Sequence, residues 1–100
     1  MFVQDVALAL SSLATQVVAR VSIVDGLGHP VRGASVTGKW SGVITTGDTA
    51  RTTDAAGVAT FYSSRSRTTG KVEFCVTGSW HGSVVYDQQA NVETCGDITK

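Results

Sequence analysis

Residues Val24–Trp40 read V-D-G-L-G-H-P-V-R-G-A-S-V-T-G-K-W, and the fold is decided in this stretch. An alternating apolar run ends at Val24, a turn built on Gly26, Gly28 and Pro30 follows, and a second alternating run leads from Ala34 to Trp40. Glycine reaches backbone conformations closed to other residues, while Pro30 locks its own φ and pushes His29 toward an extended geometry. Two strands and the bend between them are therefore predicted. In the second strand Ala34, Val36, Gly38 and Trp40 share the inward face, with Ser35, Thr37 and Lys39 on the other. The glycines make no phosphate cradle, because no helix N-terminus follows them.

The same two-residue period extends in both directions. Upstream, Val6, Leu8 and Leu10 alternate with Ala7 and Ala9, and after a polar break at Ser11–Thr15 the run Val17, Ala19, Val21, Ile23 forms one face of a second strand. Arg20 and Ser22 lie on its other face with Val18 and Val24. Downstream, Ser41–Asp48 reads as a connection holding a short strand at Val43–Thr45, and Thr49–Thr53 as a polar strand near a sheet edge. Asp54–Gly57 is a tight turn with glycine last, predicting a hairpin onto Val58–Ser63. After a polar loop at Ser64–Gly70, Val72, Phe74 and Val76 alternate with Glu73, Cys75 and Thr77. Gly78–Gly82 is expected to turn, Val84–Tyr86 to return, and the polar tail Asp87–Lys100 to be irregular. Some seven to eight short strands without an amphipathic helix between them predict an all-β sandwich.

Composition agrees. The chain has 100 residues, one domain's worth, and is 42% hydrophobic, near the globular norm. Val, Thr, Ser, Gly and Ala dominate, and β-branched and small side chains suit pleated surfaces. Eight basic and eight acidic residues cancel, so the clustered positive charge that nucleic-acid binding rests on is missing. No apolar run approaches the roughly 20 residues of a membrane-spanning helix. The N-terminal M-F-V-Q-D-V-A-L-A-L lacks a basic start and is interrupted by Asp5, so it reads as the first strand rather than a signal peptide. The chain is expected to be part of a longer polypeptide, with any secretion signal upstream of Met1.

Two cysteines, Cys75 and Cys95, suit one disulfide in an oxidising compartment; two unpaired thiols are the alternative. In the predicted register Cys75 faces away from the core, so a bridge would pin the tail across the outside of a sheet. No C-x-x-C zinc spacing is present.

Val21–Gly42 matches V-x-I-V-D-x-x-G-x-P-V-x-G-A-x-V-T-G-x-W-S-G, and Thr52–Phe61 reads T-T-D-A-A-G-V-A-T-F. Val72–Gly78 (V-E-F-C-V-T-G) and Tyr86–Asn91 (Y-D-Q-Q-A-N) complete a pattern running from about Val6 to Asn91. Together these resemble bacterial immunoglobulin-like accessory modules appended to secreted hydrolases, often proteases, and to other surface proteins. The P-V-x-G-A-x-V and T-D-x-x-G-x-A elements also resemble invasin-type repeats and carboxypeptidase-regulatory-like domains. The resemblance implies an immunoglobulin-like or fibronectin-type-III-like β-sandwich, secreted, covalently linked to a parent protein upstream and non-catalytic. Its role would be spacing, stabilising or docking.

Candidate sites are few. There is no G-x-S-x-G elbow, the carboxylates are scattered singly, and His29 and His81 each sit in a predicted turn. No metal and no cofactor is expected. Asp25, Asp54 and Asp87 stand at strand ends, where Asp bonds nearby backbone. Trp80, flanked by His81 and followed by Tyr86, is the candidate ligand contact: exposed aromatics stack on sugar rings, whereas an apolar role would fold Trp80 back as a cap on the sandwich end. Arg65, Arg67 and Lys71 form a small basic cluster, either a solvated loop or a contact for an acidic surface. The alternatives to an accessory module are a carbohydrate-binding module using Trp80 and Tyr86, and an adhesin-type repeat binding a cell-surface protein.

Overall fold

The computed structural model describes residues 1–10, 16–65 and 68–100, with backbone only at 46 and 47. The polar break at Ser11–Thr15 and the candidate cation Arg67 lie outside the described residues. Among the described residues seven strands form two antiparallel sheets, in keeping with a sandwich of seven to eight strands. Strands β1 (Phe2–Leu10), β2 (Val17–Val24) and β5 (Val58–Tyr62) pair in the order β1-β2-β5. Strands β3 (Ser35–Gly42), β4 (Thr46–Thr52), β6 (Lys71–Trp80) and β7 (Cys95–Thr99) pair in the order β4-β3-β6-β7.

The apolar face of each central strand meets the other sheet. Ala19, Val21 and Ile23 of β2 and Ala59 and Phe61 of β5 pack against Val36 and Trp40 of β3 and Val72, Phe74 and Val76 of β6, all buried. Phe74 is the centre of this core, with ring centroids 4.8 Å from Trp40 and 4.6 Å from Phe61. Its ring lies over the bare Cα of Gly38, the diagonal neighbour on β3, since Trp40 stands directly opposite Phe74, and this is why a glycine occupies an inward position of β3. The inward assignment of Ala34, Val36, Gly38 and Trp40 holds, although β3 begins at Ser35.

Four sequence expectations are corrected. The Asp54–Gly57 turn forms locally, with Asp54 N–H donating to Val58 O and Gly57 at φ 76°, but it joins no hairpin: β4 and β5 belong to different sheets. Buried Thr53 tethers the chain to the start of β3, donating to Val31 O and accepting from Ala34 N–H, while the Gly57 carbonyl accepts from Ile23 N–H in the other sheet. The turn is thus a corner between sheets. Val43–Thr45 is not a strand; Gly42, at φ 93°, turns the chain there and Ile44 drops into the core. Val84–Tyr86 does not return as a strand, contributing a single bridge between His81 and Val84.

The fourth correction is the tail. It contains a short 3-10 turn, Gln88–Ala90, and then β7, whose alternation is mostly polar because only its neighbour β6 and one sheet face need it. The segment before β7 also covers the open edge of β1. Asp87 N–H donates to Met1 O, Val92 N–H to Val3 O, and the side chains of Asn91 and Glu93 accept from Val3 and Val6 N–H at 2.8 and 2.9 Å. At Gly96 the two sheets approach so closely that a Cβ would fall 2.5 Å from Val6 O. An exposed edge is a template for aggregation, and here side-chain amide and carboxylate groups blunt it.

Candidate functional site

Trp80 is the last residue of β6, not part of a turn, and it is 71% exposed, so it does not cap the sandwich. The cause is a register shift. Val72, Phe74 and Val76 point inward, and unbroken alternation would bury Trp80 with them. Between Thr37 and Gly38 the pairing jumps, Thr37 opposite Gly78 but Gly38 opposite Val76, leaving Thr77 as an extra residue in β6. A bulge of one residue flips every later side chain to the other face. Beyond it Gly78 and Trp80 stand outward, opposite Thr37 and Ser35, which in turn pair with Ala50 and Thr52 of β4.

The surroundings of Trp80 are held by backbone bonds. Ser79 Oγ donates to Ser35 O at 3.0 Å, and Thr77 Oγ1 to Thr37 O at 3.3 Å. His81 Nδ1 accepts from Ser83 N–H at 3.0 Å, which leaves Nε2 as the N–H donor to Arg32 O at 3.1 Å. Both ring nitrogens are therefore spent on shaping the turn. A Cβ at Gly82 would touch the indole tip at 3.8 Å, whereas the space above Gly78 is open. Tyr86 does not join Trp80 in a platform. It packs on the core, and its hydroxyl accepts from Asn91 Nδ2 at 2.8 Å.

Cys75 and Cys95 form the disulfide, joining residues directly opposite one another on β6 and β7 with Cα atoms 4.1 Å apart. As expected it lies outside the sheet, but it staples two paired strands rather than pinning an irregular tail. Beside it lies a shallow cleft of about 230 Å³ lined by Val6, Glu73, Glu93, Cys95, Gly96 and Asp97. The sulfurs sit near the Glu73 carboxylate, but bonded to each other they are not thiolates able to ligate a metal.

The carboxylates are not all solitary, contrary to the sequence reading. Asp5 and Glu93 hydrogen-bond to one another: the bond to Glu93, followed by burial and the charge of Glu93, holds the Asp5 carboxyl above its ordinary range. Glu93 is held low by the Val6 N–H and then by Asp5. Sequence separation hid this pair, which only the cover over β1 brings together. The three strand-end aspartates behave as predicted. Asp25 accepts from Leu27 and His29 N–H, Asp54 from Ala56 and Val58 N–H, and Asp87 from Gln89 N–H. Those bonds, His29 first, lower the Asp25 pKa. His29 is exposed, 3.8 Å from Asp25 in the same turn. Of the basic cluster, Arg65 is exposed and Lys71 pairs with Asp97 at 3.2 Å.

No family model, no curated protein and no solved structure matches this chain.

Proposed function

We propose that the chain is a non-catalytic accessory domain of a secreted bacterial protein, a hydrolase such as a protease, that spaces, stabilises or docks its parent. One observation carries the reading: the strand-end aspartates, His81 and the polar groups over β1 are spent on backbone. Asp25, Asp54 and Asp87 tie turns, both His81 nitrogens hold the β6 exit, and Glu93 and Asn91 close the β1 edge. Groups committed in this way brace a scaffold instead of waiting on a substrate. The Cys75–Cys95 bridge suits an oxidising, extracellular setting, and the resemblance of Val21–Phe61 to immunoglobulin-like accessory modules points the same way.

The test has two parts. The isolated chain is expected to turn over no ester, peptide or glycoside substrate. Removing it from its parent should leave activity on soluble substrate intact and lower activity on particulate substrate or shorten the parent's lifetime on heating. Turnover by the isolated chain, or a parent indifferent to its removal in both respects, would refute the reading. Of the alternatives, the carbohydrate-binding one is favoured by a specific feature, the exposure of Trp80.

A further inference from the structure

We infer that the outer face of the four-stranded sheet around Trp80 is a stacking platform for an uncharged polysaccharide, a reading that deepens the docking role proposed above. The first ground is the cost of putting the indole there. Trp40, Phe61 and Phe74 are fully buried, and the alternation of β6 would bury Trp80 as well. The Thr77 bulge turns it out instead, at a strand end where an apolar ring in water gains nothing for the fold. Trp80 is also held in place rather than dangling. It is paired to Ser35 on one side and followed by the His81–Val84 bridge, with His81 locked by two backbone bonds. A preorganised aromatic loses little entropy when a ligand stacks on it.

The second ground is what adjoins the ring. The two rows crossing the sheet at this end, Thr52–Ser35–Trp80 and Ala50–Thr37–Gly78, contain hydroxyl groups, a methyl and a glycine, and no charge. Gly78 leaves open space beside the indole, room for a second ring of a chain lying across the sheet. The Ser and Thr hydroxyls can exchange hydrogen bonds with sugar hydroxyls. The acidic residues of this face stand at its other end, where Glu73 opposes Asp97 beyond the disulfide. The cations nearest these rows are Lys39, the next outward residue of β3, and Arg51, whose guanidinium donates to Ala50 O at 2.7 Å; neither stands in the Trp80 row. The apolar face of a neutral pyranose against an indole, with hydroxyls at the rim, is the complement this surface offers.

The experiment is affinity electrophoresis and pull-down of the 100-residue chain on neutral polysaccharides (xyloglucan, mixed-linkage glucan, cellulose, chitin), with polygalacturonate as the anionic arm. Trp80→Ala and Gly78→Val are run alongside. Neither residue supports the core, and thermal unfolding together with the emission of buried Trp40 checks that each variant is folded. The expected result is retention on at least one neutral polymer, weakened at least tenfold by Trp80→Ala and several-fold by Gly78→Val. The bound glycan should also shield Trp80 fluorescence from acrylamide. Retention on no neutral polymer, retention on polygalacturonate alone, or retention unchanged in Trp80→Ala would overturn the inference. If the chain binds no glycan while its removal still uncouples the parent from particulate substrate, this inference fails and the accessory reading stands.

Discussion

Gly38→Ala tests the packing at the centre of the sandwich. A methyl built on Gly38 would fall 2.1 Å from Cζ of Phe74 and 2.6 and 2.8 Å from its two Cε atoms. The ring has nowhere to retreat, since Trp40 and Phe61 flank it at 4.8 and 4.6 Å and it is fully buried. Two effects compete. Alanine restricts the unfolded chain more than glycine does and would favour the folded strand by about 0.5–1 kcal/mol. Overpacking a filled core costs about 1–3 kcal/mol, and three carbons under 3.0 Å place this site at the upper end. The net loss should be about 2 kcal/mol, a fall in Tm of about 8–16 °C for a domain of this size.

Thermal and urea unfolding with the disulfide intact would measure the loss, and a double-mutant cycle would locate its origin. Phe74→Leu lacks the Cζ and Cε atoms. In that background Gly38→Ala should cost less than about 0.5 kcal/mol, giving a coupling of about 1.5 kcal/mol or more. A Gly38→Ala variant as stable as the parent, or strictly additive effects, would refute the assignment of Gly38 to the Phe74 contact.

Three further outcomes follow from the same geometry. Replacing both Cys75 and Cys95 by Ala opens a loop of sequence separation 20 and should cost about 3 kcal/mol of stability, read as a lower denaturant midpoint; an unchanged midpoint would remove the staple's role. Two threonines near one another in sequence should respond to valine with opposite signs: Thr53→Val strands the buried Ala34 N–H and Val31 carbonyl and should lose about 1–3 kcal/mol, whereas Thr49→Val removes a buried hydroxyl without a partner and should be neutral or stabilising. Equal losses at both would contradict these bonding assignments.

The pH dependence has a definite sign for Asp5 and Glu93. The raised Asp5 carboxyl contributes stability fully below its unfolded value of 3.8, and that contribution is lost as pH rises through the folded value. Lowered Glu93 does the reverse, contributing above 4.5 and losing it as pH falls through its folded value. Asp5→Asn supplies an N–H donor to Glu93 at every pH, so the variant should match or exceed the wild type in Tm at pH 7. It should also lack the part of the acid-side gain that comes from protonating Asp5. A lower Tm at pH 7 would exclude the carboxyl–carboxylate bond.

Local pattern determined much of this protein. Alternation along Val17–Val24, Ala34–Trp40 and Val72–Val76 named the core strands and their inward faces, because a strand's period of two is a property of the backbone itself. Turn chemistry likewise predicted the aspartates that hold backbone, since those bonds span only a few residues. The sequence did not reveal which strands pair. The Asp54–Gly57 turn reads as a hairpin, and only Thr53 bonding to one sheet and Gly57 to the other makes it a corner. Nor did it reveal β7, a polar edge strand specified by its neighbour, or the Asp5–Glu93 pair, which meets across most of the chain. Trp80 is the sharpest case. Its alternation points inward, and it stands in solvent because β6 carries one more residue than β3 at Thr77, a mismatch that exists only between two strands.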